Sequence, residues 1–338
     1  MSHLNFSIIV PVFNRPQEIH ELLKSLTNQT YRNFEVIIVE DGSNQNCKAQ
    51  VDDFANQLNL HYFYKQNTGP GDSRNYGVTK VTGEYLIFFD SDCIIPADYL
   101  RVVDDYLSSN WLDSYGAPDR AHENFSNIQK AINYSMTSLI TTGGIRGHQN
   151  VADSFQPRSF NMGISKTAFT EVGGFSNIHP GEDPDLIYRL VNKGFTKGLI
   201  IDAYVYHKRR IDFKKFGLQV YKFGLARTIL MKWHPASVKW IFSTPTIAMI
   251  LCILLIIFGF ILPVFWYILI FGLIVVLIDS LRSTGNITTA ILGVMATIVQ
   301  ITGYGWGFLN GWWHLHVRKK QEQQQFPEMF MGPITEIP

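Results

Sequence analysis

The chain has 338 residues, a formal net charge of +1 and 46% hydrophobic residues. The neutral total hides an asymmetry: residues 1–206 carry 16 Lys or Arg against 23 Asp or Glu, and residues 207–240 carry nine basic residues against Asp212 alone. From Lys239 no formal charge appears until Asp279. Basic residues at the edge of an apolar stretch, rather than on the folded part, argue against nucleic-acid binding and for a membrane surface. Cys47, Cys93 and Cys252 lie too far apart for a disulfide framework or a zinc spacing.

Phe6–Val12 reads as an apolar strand. A helix follows, with Asn14 as its expected cap, Pro16 in its first turn and Ile19, Leu22, Leu23 and Leu26 on one face. Phe34–Val39 is a second strand and ends in Glu40-Asp41-Gly42-Ser43; Val51, Phe54 and Leu58 then fall at helical spacing. Leu60–Tyr64 is a third strand and Gly71–Val81 a helix. Tyr85–Phe89, a buried strand, delivers Asp90 and Asp92 with only Ser91 between them. Alternating strands and helices predict an α/β fold, a mainly parallel sheet flanked by helices. Ligands gather at the carboxyl ends of such strands, where Asn14, Asp41, Asp90 and Asp92 stand. After the first strand comes Pro-Val-Phe-Asn-Arg-Pro, not Gly-x-Gly-x-x-Gly, which argues against a dinucleotide site. Two carboxylates at one strand end repel unless a cation joins them, and oxygen-only ligands suit Mg²⁺ or Mn²⁺. Alone, an Asp-x-Asp also reads as a polar turn. Asn67–Asn75 is a glycine-bearing loop entering a helix, with Arg74 placed to meet a phosphate or to hold the Asp90/Asp92 pair.

Ala97–Leu107 and Ile128–Ile140 look helical. The segment 141–150, with His148, reads as a flexible loop of the sort that carries acceptor specificity. Arg158–Ser165 is another strand, and Gly173-Gly174-Phe175 a tight turn. Pro184 opens a helix over Asp185–Lys193, which puts Glu182 and Asp183 at its N-terminus. They can cap that helix, or an ionised carboxylate there can take a proton from an attacking hydroxyl. Gly198–Tyr206 is the last strand and ends at His207.

Taken together, these segments resemble family-2 glycosyltransferases with the GT-A fold. The likeness rests on Ile8–Asn14, Val36–Ser43, Asn67-x-Gly with Ser73-Arg74-Asn75, Asp90-Ser-Asp92, Gly-Gly-Phe and Gly181-Glu182-Asp183. It implies a nucleotide-diphosphosugar donor (a UDP- or GDP-sugar), Mn²⁺ or Mg²⁺, and inversion at the anomeric carbon. Pro11, Asn14, Asp41, Arg74 and Asp90 would bind the donor, with Asp41 at the base and Asp90 at the ribose. Asp90 and Asp92 would hold the metal, with His207 as a further metal contact, and Asp183 would be the general base beside Glu182. Two positions depart from the family pattern. Asp72 stands where a small residue is usual, and Cys93 where a third acid is often found. Gln219-Val-Tyr-Lys222-Phe223 resembles the Gln-x-x-Arg-Trp motif of membrane polysaccharide synthases, which would bring Gln219 and Lys222 to the donor diphosphate, although an amphipathic interface helix has the same pattern.

Phe213–Trp240 mixes basic and apolar residues in the manner of interfacial helices. Residues 240–278 are too long for one crossing, so a hairpin turning at Leu262-Pro263 is expected; Asn286–Leu309, rich in glycine, is a third candidate span. The expected organisation is a catalytic domain over 1–207, interfacial helices over 208–240, a transmembrane region over 241–317 and a cytoplasmic tail over 318–338, poorly ordered after Gln321. No signal peptide precedes the first strand, so the catalytic domain is expected on the cytoplasmic face of the cell membrane, acting on a lipid-linked or glycan acceptor. The alternatives are a polyprenyl-phosphate glycosyl synthase, whose phosphate acceptor needs no base, a processive synthase, for which the helices are too few, and a non-catalytic membrane scaffold.

Overall fold

A computed structural model describes residues 3–120, 125–142, 156–207 and 212–337. From residue 143 onward the loop read at 141–150, His148 included, lies outside them. The chain begins with β1 (Phe6–Val12), α1 (Pro16–Thr27), β2 (Phe34–Asp41), α2 (Lys48–Asp52), β3 (Leu60–Lys65), α3 (Pro70–Val78) and β4 (Tyr85–Phe89). It continues with β5 (Cys93–Ile94), α4 (Tyr99–Ser109), β6 (Ser114–Gly116), β7 (Asp119–Arg120), α5 (Asn127–Thr137) and α6 (Leu139–Thr142). Next come β8 (Asn161–Ser165), α7 (Lys166–Glu171), α8 (Glu182–Asn192), β9 (Lys197–Leu199) and β10 (Val205–His207). The remaining helices are α9 (Phe213–Trp233), α10 (Thr244–Gly259), α11 (Val264–Thr284), α12 (Ile287–Trp312) and α13 (Glu322–Gln325). Two compact units result. One comprises Met1–His122, Gln149–His207 and Phe330–Pro338; the other comprises Glu123–His148 and Lys208–Met329.

The first unit is built on a seven-stranded sheet in the order β3-β2-β1-β4-β8-β6-β9. Strands β1 to β4 are parallel, and β8 runs antiparallel between β4 and β6. Helices cover both faces, so the central strands β1, β2 and β4 are buried along nearly their whole length rather than alternating, while the edge strand β3 is half-exposed. Successive residues point to opposite faces. Ile8 and Val10 pack with Leu22, Leu23 and Val103 on one side; Ile9 packs with Phe88, Phe169 and Leu186 on the other. Each such side chain, fully buried, contributes about 1.5–3 kcal/mol.

A smaller sheet, β5-β10-β7, stands beyond the end of β4. It replaces the single strand expected over Gly198–Tyr206. The Ile200 amide bonds to Gly116 and the Ala203 amide back to Ile200, which turns the chain out of the large sheet into the small one. Asn14 differs from expectation as well. It lies at a positive φ of 53° and caps no helix; its side-chain oxygen accepts from the Asn44 and Gln45 amides at 2.9 and 3.1 Å. Asn tolerates that left-handed geometry, and here it ties the loop after β1 to the loop after β2.

In the second unit, three helices are long and apolar enough to cross a membrane: Trp240–Gly259, Val264–Thr284 and Ile287–Val317. The break between the first two falls at the expected hairpin. The glycines of α12 do not interrupt it. They let α9 approach: a Cβ on Gly307 would lie 2.1 Å from the Tyr221 carbonyl, and one on Gly224 would lie 2.3 Å from the Tyr304 carbonyl. Small residues permit such backbone contact between helices. Asp279 of α11 accepts hydrogen bonds from Tyr134 at 2.7 Å and Ser138 at 2.6 Å, which satisfies a carboxylate in an apolar helix. Gly307→Leu is expected to cost about 1–3 kcal/mol by overpacking and so to lower the melting temperature in detergent. Gly272→Leu should leave it unchanged, since a Cβ there meets nothing within 4 Å among the described residues.

The end of the chain is held rather than loose. Glu322 accepts from Lys232 at 2.6 Å and from Trp233 at 2.8 Å. Within the first unit Phe330 bridges to Ile178, and Ile337 packs on the Phe175 core. These are isolated side-chain, backbone and apolar contacts that leave no periodic trace in the sequence.

Candidate active site

The turn after β4 is closed by a hydrogen bond from the Cys93 amide to the Asp90 carbonyl, and it presents both carboxylates at the sheet's carboxyl edge. Each meets an arginine. Arg74, 3% exposed on α3, donates to Asp90 at 2.6 Å and lies 3.8 Å from Glu182 and 5.4 Å from the Phe175 ring centroid. Its Nε and Nη1 are buried without a hydrogen-bond partner among the described residues. Arg15, from the loop after β1, donates to Asp92.

His207 also reaches Asp92, Nε2 to Oδ1, at 3.2 Å. The ladder dictates this meeting, because β10 pairs with β5 so that His207 faces Cys93. The imidazole stacks on Phe160 at 4.7 Å, and its Nδ1 lies 4.0 Å from Asp119. Burial alone would raise the Asp92 carboxyl, but the opposing charges and hydrogen bonds of His207 and Arg15 outweigh it and hold the group well below the usual carboxylate range.

Glu182 and Asp183 open α8. Burial would raise Glu182, yet His179, 2.9 Å away, and Arg74 together lower it. Asp183 goes the other way. Burial first, then the charge of Glu182, raise it to about 6 against the pull of Arg74 and Arg158 and a hydrogen bond from Ser159. One of its oxygens, Oδ1, is buried with no hydrogen-bond partner among the described residues.

Asp90, Asp92, Arg74, Glu182, Asp183 and His207 thus form one charged cluster drawn from β4, α3, α8 and β10. Asp41 stands at the end of β2. Its carboxylate accepts from Lys65 at 2.8 Å and from the Thr68 and Gly69 amides at 3.0 and 2.9 Å, so both oxygens shape the 67–69 turn. Pro11 is half-buried within β1, and Phe13 beyond it is 49% exposed. Gln219 and Lys222 lie half-buried on α9, in the second unit.

The profile of glycosyl transferase family 2 matches residues 7–172, and that of glycosyl transferase family group 2 matches residues 150–305. An uncharacterized glycosyltransferase of Haemophilus influenzae is 30% identical over 209 residues, 59% of this chain and 67% of that protein. The chain belongs to glycosyl transferase family 2. A Rickettsia bellii glycosyltransferase is 35% identical over 104 residues, 31% of this chain but only 15% of that protein's length. Its counterparts in Rickettsia conorii and Rickettsia felis are matched over 18% and 17% of their lengths. The fold is that of a mannosyltransferase from Pyrobaculum calidifontis, solved with GDP-Man and Mn²⁺ (TM-score 0.64, 14% identity, 89% of this chain and 88% of that one).

Four residues that act on members of this cluster escape a reading of the sequence. Arg15 and His179 sit in irregular loops, Asp119 lies in the two-residue β7, and Arg158 bridges to Asn161 at the start of β8. No spacing rule marks any of them, and only the tertiary fold brings them to the carboxylates.

Proposed function

We propose that this family-2 enzyme transfers a sugar from a UDP- or GDP-sugar to a lipid-linked or glycan acceptor at the cytoplasmic face of the cell membrane, with inversion. The observation that carries this reading is Asp183. Its carboxyl is raised to about 6 and its Oδ1 has no hydrogen-bond partner among the described residues, beside a cluster suited to a diphosphate. An acceptor hydroxyl attacks the anomeric carbon, its proton passes to Asp183, and the bond to the nucleoside diphosphate breaks on the opposite face. Glu182 stays ionised, and its charge keeps the Asp183 carboxylate basic.

On the donor side, Arg74 Nε and Nη1, which have no hydrogen-bond partner among the described residues, are available to the diphosphate and Asp90 to the ribose. Asp41 and Asn14, by bracing the loops after β2 and β1, shape the pocket for the base, with Pro11 on its wall.

The donor set fits a divalent cation. The ligand atoms of Asp92, Cys93 and His207 lie within 4.8 Å of one another. Cys93 is a poor ligand here, because burial first, and the charges of Asp92 and Asp90 next, keep its thiol protonated. A carboxylate and an imidazole, completed by phosphate oxygens and water, suit Mn²⁺ or Mg²⁺. When bound, the ion neutralises charge on the departing diphosphate. The Mn²⁺ and GDP-Man held by the Pyrobaculum protein support this choice. Asp119, 4.0 Å from His207 Nδ1, can orient the imidazole by charge rather than by a hydrogen bond, and Asp119→Asn is expected to raise the Mn²⁺ concentration for half-maximal turnover by less than the roughly 10–100-fold of a hydrogen-bonded partner. Removing the metal with EDTA should abolish turnover, and added Mn²⁺ should restore it.

The three apolar helices support membrane spanning, and the basic collar supports attachment to an anionic leaflet, at about 1 kcal/mol per Lys or Arg. A polyprenyl-phosphate acceptor would need no base, so an Asp183 Oδ1 with no hydrogen-bond partner among the described residues favours a hydroxyl. The test is a panel of nucleotide-sugars supplied with membrane lipid extract and Mn²⁺ or Mg²⁺. Release of nucleoside diphosphate that depends on both lipid and metal supports transfer. Absence of turnover and of donor binding across the panel would leave only a scaffold.

A further inference from the structure

The last residues of the chain lie against the candidate site's own loops. Phe330 forms a β-bridge with Ile178, and the Met331 amide donates to the Asn177 carbonyl at 2.8 Å. The Met331 side chain covers Gly69 so closely that a Cβ there would lie 2.8 Å from its Cγ. Gly332 adjoins Thr68, and the Thr335 amide donates to Asp72. Ile337 closes on Gly174, where a Cβ would come within 2.9 Å of it.

Asp72 is one of the two positions that depart from the family pattern, and these contacts account for its acid. It is 3% exposed, accepts from Thr68 and lies 3.0 Å from Lys65. Lys65 in turn holds Asp41 at 2.8 Å. A small residue at 72 would leave both the Lys65 ammonium and the Thr335 amide short of a partner. The same strap therefore grips two loops: 67–72, shaped by Asp41, and 176–181, which leads into Glu182 and Asp183.

We propose that residues 330–337 are a positioning strap that staples the donor-side loop 67–72 to the base-bearing loop 176–181 through Thr335–Asp72 and Met331–Asn177, and so sets the affinity for the donor nucleotide. The effect on affinity rests on the donor-site reading above; the stapling does not. Asp72 and Thr335 are positioning residues, since neither touches the cluster around Asp183.

The decisive pair is Thr335→Pro, which removes the amide donor, and Thr335→Ala, which keeps it, both in the 338-residue chain. Hydrogen exchange should show the Thr68, Gly69 and Gly181 amides losing protection in Thr335→Pro only. The dissociation constant for UDP or GDP with Mn²⁺ should rise about tenfold in that variant, the scale of one lost hydrogen bond to a charged group, with kcat little changed. Asp72→Ala should reproduce both effects. Unchanged protection of the two loops in Thr335→Pro overturns the strap, as does lost protection with unaltered nucleotide affinity. A wild-type protein that binds neither nucleotide sinks the donor-site reading instead, and the exchange data then decide the stapling alone.

Discussion

Asp183→Asn is expected to lower kcat by about 10²–10⁴-fold, the usual contribution of a positioned general base, while nucleotide binding stays close to wild type. The substitution keeps the shape of the side chain and removes only its capacity to take a proton. The pH profile provides the stronger check. Burial and the Glu182 charge raise Asp183 to about 6, so the base is protonated below that pH and ionised above it. Wild-type kcat should therefore rise with pH through about 6, and the residual activity of Asp183→Asn should lack that limb. Stability should move in the opposite sense. A carboxyl whose folded pKa lies above its unfolded value of 3.8 binds more protons when folded, so it lowers stability as pH rises from about 4 to above 6. At neutral pH Asp183→Asn should melt at a higher temperature than wild type while turning over far more slowly. An enzyme that loses activity because the substitution unfolds it would show the reverse.

Arg74→Ala is expected to destabilise the first unit by about 3–5 kcal/mol, the range for removing one partner of a buried charge pair. Arg74 is 3% exposed and is shared by Asp90 and Glu182, at 2.6 and 3.8 Å. Without it, Glu182 keeps only the half-exposed His179 as an ion-pair partner among the described residues, and Asp183 loses the cation that most strongly counteracts its neighbour's charge. At about 2–4 °C per kcal/mol, thermal unfolding should shift by roughly ten degrees. Adding Glu182→Gln should recover part of that loss, since it removes the stranded carboxylate. It should recover no activity, since the N–H groups proposed for the diphosphate are gone. Arg74→Lys keeps the charge but presents a point donor in place of a planar fork; it should fold nearly as well and bind the nucleotide more weakly.

What the sequence discloses follows the physics of each segment. Strands β1, β2 and β4 are legible because burial on both faces demands unbroken apolar runs, and Asp90-Ser-Asp92 because two carboxylates at a strand end are costly without a cation. The acids that open α8 are marked by Pro184. The small sheet leaves no such trace: β5, β7 and β10 are two or three residues long and owe their place to pairing partners far away in sequence. Asp119 and the His207–Cys93 register therefore emerge only in three dimensions. Glycine misleads in α12. Along a sequence it reads as a helix weakener, yet Gly303, Gly307 and Gly311 are the places where α9 makes its nearest approach. Asn14 misleads in the same way, a residue suited to capping that is used to bridge two loops.

The central claim is that acids from separate segments form one metal-dependent donor pocket. It is tested most directly by the anomalous scattering of Mn²⁺ in crystals of the 338-residue chain grown with UDP or GDP. The expected result is a single Mn²⁺ peak shared by Asp92, His207 and the diphosphate, with the Arg74 guanidinium against the phosphates and Asp183 open towards the sugar side. A nucleotide bound elsewhere, or one seated at the strand ends with its Mn²⁺ away from Asp92 and His207, would contradict it.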